Sequence, residues 1–237
     1  MEKEFIETLR KLILPIAFVS LLILIHLFFA FGQTRLGLVG VVPRKSYGLW
    51  GIFTGPLVHS DWQHLTANVL PMAGLLTLLF VFYKKISYFG FVLIYLLTGA
   101  VVWMFARQVS HVGASGIVYG LISFVFFNGI FRKNLLSIIL SLIVTMMYVG
   151  SGYFMGILPN QEGISWESHL FGALVGVFVS FVLKDIPEEI DQQYVEKEWE
   201  EEETRHYLPR DTFDMTRQER EILRRQQEGW ISDEGLL

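Results

Sequence analysis

The chain has 237 residues, of which 52% are hydrophobic and 20 are Phe, with a formal net charge of −4. That is more apolar than a soluble domain of this size needs, and almost every apolar block ends before Lys184. Cysteine is absent, which excludes a disulfide framework, a thiolate nucleophile and thiolate metal ligands.

A membrane-spanning helix needs about 20 largely apolar residues. Six runs are candidates: 12–31, 64–83, 86–106, 115–131, 134–150 and 168–183. The fifth and sixth are short, so their ends are the least defined. All six are continuous rather than alternating, which excludes a β-barrel. The first run is too long for a signal-peptide core and no small-residue cleavage site follows it, so it is read as a retained helix. The expected fold is an all-α membrane protein: a short N-terminal segment 1–11, a membrane domain 12–184 and an acidic tail 185–237. One set of flanks carries Lys3, Arg10, Lys11, Lys84, Lys85, Arg132, Lys133 and Lys184; the other carries Arg35, Arg44, Lys45 and Arg107. Eight against four places both termini in the cytoplasm.

Between the first two runs, the connection 32–63 holds Tyr47, Trp50, Phe53 and Trp62, aromatics suited to the headgroup level. The second run opens on His64, with Asn68 four residues later. That spacing puts both on one helix face, where both can donate hydrogen bonds to an oxyanion. A zinc-protease helix would need His-Glu-x-x-His. Here Gln63 precedes His64 and no histidine lies four residues on, so no metal site is expected. His59 reads as a loop-ordering residue, and His26 and His111 as structural or peripheral, without a partner pattern. Pro71 predicts a kink below the two donors.

The fourth run opens with Gly113-Ala114-Ser115-Gly116. A serine hydroxyl is a poor nucleophile until a base removes its proton. Flanking glycines leave backbone N–H groups free, and a helix start favours negative charge. Tyr119, four residues on, shares the serine's face. The loop before the sixth run, 150–167, has neither Lys nor Arg, as an outside loop should. In the sixth run, His169, Gly172 and Gly176 form one stripe. Gly172 and Gly176 make a GxxxG pattern, which lets a neighbouring helix come close to the imidazole. If that neighbour carries Ser115, base and hydroxyl meet, and Tyr119 could stack on the ring. No acidic residue falls within any run, and Glu167 lies at the membrane edge, so a Ser-His dyad fits better than a triad.

Residues 1–184 hold 12 basic and 6 acidic side chains, whereas 185–237 hold 7 and 17. The tail, with four glutamates at 200–203, reads as a solvated and partly disordered segment. Thr216 and Glu219 have capping-box spacing before a short helix. A docking site for a cytoplasmic partner is the alternative reading of the tail, and nucleic acid is not expected. No internal repeat is present, and the polar residues cluster at the outer ends of the runs, which disfavours a transporter with a midplane site.

His59-x4-His64-x3-Asn68, Gly113-x-Ser115-Gly116 with Tyr119, and His169-x2-Gly172-x3-Gly176, in this order and in these runs, resemble the rhomboid intramembrane serine proteases of the six-helix bacterial type. The resemblance covers residues 12–184. It implies Ser115 as nucleophile, His169 as general base, and His64, Asn68 and the Ser115 N–H as the oxyanion site. It implies Tyr119 packed on the imidazole, with Gly113, Gly116, Gly172 and Gly176 supporting the site. It further implies transmembrane protein substrates cut near the outer face, no cofactor, and a multi-pass protein of the plasma or inner membrane. Family members commonly carry Trp-Arg in the first outside loop; here Gly51 follows Trp50, which leaves that loop's anchoring open. An inactive rhomboid-like protein that binds membrane clients is the alternative.

Overall fold

The computed structural model describes residues 2–32, 39–149, 153–159, 165–188 and 214–233. The chain forms two compact units, Met1–Val195 and Glu196–Leu237.

The first unit contains α1 (Glu2–Gly32), α2 (Trp62–Phe82), α3 (Ser87–Phe105), α4 (Ser115–Arg132), α5 (Leu135–Val149) and α6 (Trp166–Leu183). Five of these are long and apolar enough to cross a membrane, α1 over Lys11–Gly32 and α2, α3, α4 and α6 over their whole lengths. The protein is therefore a multi-pass, all-helical membrane protein. The exception is α5, with 15 residues. At 1.5 Å per residue it reaches about 22 Å, short of a hydrocarbon core of about 30 Å.

Helix ends follow local chemistry. Asp61 caps α2 by accepting from the His64 N–H at 2.8 Å, so the helix starts two residues before the predicted run. Lys133 leaves α4 in a left-handed conformation, and the Asn134 side chain then caps α5 through the Ser137 N–H at 2.8 Å. Pro71 is buried within α2, which continues through it; the Tyr148 hydroxyl of α5 donates to its carbonyl at 3.3 Å.

α4 is the hub, packing against α6 and α5 and touching α2 and α3. In lipid, apolar surface gains little by moving from tails to protein, so close backbone approach decides helix pairing. The α4–α6 seam shows this. A methyl group on Gly172 would collide with the Gly116 carbonyl, and one on Gly176 with the Gly120 carbonyl. At the far end, Arg132 donates to the Leu183 and Ile186 carbonyls, and the buried Glu188 carboxylate accepts from the Lys85 and Ile86 N–H groups. The loop ahead of α2 is anchored without a Trp-Arg pair. Val41 and His111 exchange both backbone hydrogen bonds. Arg44 donates to the Met104 and Ala106 carbonyls, and the Trp103 indole donates to the Lys45 carbonyl. Tyr47, Trp50, Phe53 and Trp62 are all exposed.

In the second unit, α7 (Arg217–Asp233) starts at a closed capping box. Thr216 N–H donates to the Glu219 carboxylate at 2.7 Å, and Glu219 N–H to the Thr216 hydroxyl at 3.4 Å. The acidic run at 200–203 lies outside the described residues.

Candidate active site

Ser115 is the first residue of α4, and its approach is shaped by Gly113. Gly113 has φ +106°, a left-handed backbone that favours glycine. A Cβ there would lie 2.5 Å from His64 Nε2, so the imidazole of α2 closes directly over this residue. Gly113→Ala is therefore expected to displace either the serine loop or His64. The reactivity of Ser115 should fall at least about tenfold, a loss of the size expected when reacting groups are misplaced. The rate of labelling by a serine-reactive fluorophosphonate checks this, and a Gly113→Ala variant that labels like the wild type would show that the close approach is dispensable.

His59 supports the same loop from behind. Its Nε2 accepts from the Ala114 N–H at 3.3 Å. Burial, reinforced by nearby His64, lowers its pKa to about 3. The ring is thus neutral at physiological pH and free to accept.

Across the α4–α6 seam, His169 Nε2 lies 2.8 Å from Ser115 Oγ. The other ring nitrogen, Nδ1, lies 2.8 Å from the Gly156 carbonyl oxygen. A carbonyl can only accept, so Nδ1 carries the proton and Nε2 presents its lone pair to the serine hydroxyl. Tyr119 stacks on the imidazole with ring centroids 4.3 Å apart and planes 16° from parallel. The arrangement can move a proton from hydroxyl to imidazole without moving a heavy atom.

His64 and Asn68 line the same cavity of about 870 Å³, together with Ser115, Tyr119 and His169. The buried Asn68 amide donates one hydrogen bond to the His64 carbonyl at 2.7 Å and keeps a second N–H. The Ser60 hydroxyl is 2.7 Å from the Asp61 carboxylate and 3.1 Å from His64 Nδ1. A hydroxyl has one proton, and the carboxylate can only accept. Ser60 therefore donates to Asp61 and accepts from His64 Nδ1–H, which leaves His64 Nε2 bare in the neutral ring. Among the described residues, no three His, Cys, Asp or Glu side chains are grouped to hold a metal ion.

One sequence expectation needs correction. α6 begins at Trp166, so Glu167 lies inside the helix; it is buried and paired with Arg107 at 3.0 Å. Backbone hydrogen bonding carries α6 past its apolar run, the His169 N–H reaching the Ser165 carbonyl at 3.3 Å. Of the two readings of His111, structural or peripheral, the first agrees with its surroundings: it is buried, lines the cavity and has several partners. Gly156, Ser60 and Asp61 carried no signal in the sequence for what they do here. Gly120 did: with Gly116 it repeats on α4 the GxxxG spacing of α6.

The Rhomboid domain family matches residues 46–186. An uncharacterized protein of Mycobacterium tuberculosis is 32% identical over 177 residues, covering 71% of this chain and 73% of its own. Rhomboid-like protein 11, chloroplastic, of Arabidopsis thaliana is 30% identical over 188 residues, covering 70% and 64%. RHOMBOID-like protein 4 of the same plant is 30% identical over 145 residues, covering 56% and 34%.

Proposed function

Since the chain belongs to the rhomboid family, we propose that it is an intramembrane serine endopeptidase that cuts transmembrane proteins near the outer face of the cell membrane. One observation carries this reading: the Ser115–His169 contact of 2.8 Å, in the one tautomer that can act as a base. His169 takes the hydroxyl proton as Ser115 attacks the peptide carbonyl. The proton then passes to the leaving amine, and a water attacks the acyl-enzyme with His169 again as base. The Gly156 carbonyl does what a carboxylate does in a triad, holding the ring and its tautomer, but without a full charge.

The oxyanion would face the Ser115 N–H, the second Asn68 N–H and His64. For His64 to donate through Nε2 it must take up a proton, and the Ser60–Asp61 pair is placed to stabilise the resulting imidazolium. Hydrogen bonds from Ser60 and from the His64 N–H hold Asp61 below the usual carboxylate range, so it stays charged. Asp61→Asn keeps the α2 cap, since Asn caps as well as Asp, but removes the charge. The expected result is a fall in kcat of roughly threefold to tenfold, modest because Asp61 is exposed and screened. No further loss is expected in a His64→Ala background. An unchanged kcat for Asp61→Asn would remove the imidazolium from the mechanism.

The eight-to-four distribution of Lys and Arg supports an orientation with the termini inside and the cavity outside. The substrate helix would reach the cavity between α2 and α5, where α5 is short and a Tyr148–Pro71 hydrogen bond joins the two. Unwinding a helix is costly, so substrates with Gly or Pro near the cut are favoured.

The test is reconstitution in liposomes with a reporter that has one membrane span, beside labelling by a fluorophosphonate. Cleavage by the wild type with labelling at Ser115 is expected. A folded wild type that neither cuts nor reacts would replace this reading with that of a client-binding protein.

A further inference from the structure

A second polar cluster adjoins the site, and the chemistry above does not use it. It is centred on His111, which is 4% exposed and sits four residues before Ser115. Its Nε2 is 3.0 Å from the Arg107 carbonyl, which can only accept, so Nε2 carries the proton and Nδ1 a lone pair. The Ser165 hydroxyl contacts that Nδ1 and is therefore the donor. The Ser168 hydroxyl, 2.7 Å from Ser165 Oγ, then donates to Ser165. Every bond in the chain Ser168, Ser165, His111, Arg107 thus has a defined direction. The Arg107 guanidinium returns to α6 through Glu167 at 3.0 Å, closing a loop of five residues. Burial holds the His111 imidazole below the ordinary histidine range, against the opposing hydrogen bond to the Arg107 carbonyl and the Glu167 charge. The ring is neutral and can keep accepting.

The two sides of this loop are the two segments that bring the dyad together. Residues 107 and 111 belong to the connection that delivers Ser115; residues 165, 167 and 168 form the turn that delivers His169. The His111 backbone is itself fixed, exchanging hydrogen bonds of 2.8 and 2.9 Å with Val41. The neighbouring small-residue seam limits how close α4 and α6 come, since a Cβ on Gly116 would lie 3.0 Å from the Ser168 carbonyl oxygen. It does not limit sliding along the seam, which is what a directed hydrogen-bond chain across it restrains. We propose that His111 is a positioning residue that, through Ser165, sets the register between the serine loop and the first turn of α6, and so the distance from His169 to Ser115.

This rests on the dyad reading, and the experiment separates the two. The readout is the rate of fluorophosphonate labelling at Ser115, with kcat and KM for the single-span reporter. His111→Phe keeps a buried ring but loses both hydrogen bonds. It should slow labelling roughly ten- to a hundredfold, the range expected when reacting groups shift by up to about 1 Å, with KM unchanged. His111→Asn places an amide oxygen where Nδ1 was, able to accept from Ser165, and should recover most of the rate. Ser165→Ala should slow labelling in the wild type and add nothing to His111→Phe, because both break one chain. If His111→Phe does not fold, Ser165→Thr against Ser165→Ala carries the same test: the hydroxyl should preserve the rate and the methyl should not. Wild-type labelling in His111→Phe, additive losses, or an Asn variant as slow as Phe would each overturn the proposal while leaving the dyad intact. A wild type that never labels overturns both.

Discussion

Ser115→Ala and His169→Ala should each lower cleavage of a single-span reporter by at least about 10⁴-fold, and the double variant should be no worse than the worse single one. Nucleophile and base act as a unit, so removing either removes the same step, and the losses do not add. The hydroxyl and imidazole are 2.8 Å apart, with the proton on Nδ1 held by the Gly156 carbonyl, so no second base is needed. Residual rate above background would come from the oxyanion donors and substrate binding alone. Ser115→Ala removes one oxygen atom, and Tyr119 and Gly156 still hold the His169 ring. Thermal unfolding in detergent should therefore stay close to wild type, and inactivity cannot be assigned to misfolding. Rates from both single variants and the double in the same liposomes decide the matter. His169→Ala within tenfold of wild type would mean that another group takes the proton.

Gly172→Val should be the most damaging single change to the fold. A Cβ at this position meets the Gly116 carbonyl, a backbone atom of the neighbouring helix that cannot rotate away as a side chain would. The helices must separate by the width of a methyl group, and the contacts of Gly120 and Gly176 along the same seam are lost with it. In lipid no hydrophobic force restores them. The expected cost exceeds about 3 kcal/mol, the range of severe overpacking. Because Ser115 and His169 sit on opposite sides of this seam, activity should fall with stability. Leu174→Val on the same helix is the control: Leu174 is 56% exposed, and its truncation should change stability by no more than about 0.5 kcal/mol. Unfolding in detergent measures both. Equal stability of the two variants would contradict the close α4–α6 approach.

The membrane domain was legible because hydropathy is a sum over local sequence. The predicted runs fall within two residues of α2, α3, α4 and α6 at every end. Where α2 starts ahead of the apolar stretch, a polar residue decides: the Asp61 carboxylate accepts from the His64 N–H, because an N–H seeks an acceptor regardless of how apolar its neighbours are. The stripe of His169, Gly172 and Gly176, and the i+4 placement of Tyr119, follow from helical periodicity and needed no tertiary information.

What the tertiary structure alone decided is which atom holds which proton. The Gly156 carbonyl that fixes the His169 tautomer has no sequence signature, since every residue carries a carbonyl. The Ser60–Asp61 pair behind His64 uses residues common in any helix cap. His111 carried no pattern because the hydroxyl it accepts from, that of Ser165, lies 54 residues away. Burial and periodicity are written residue by residue along a chain. Hydrogen-bond direction is set by donors and acceptors from distant segments that meet only once the helices have packed.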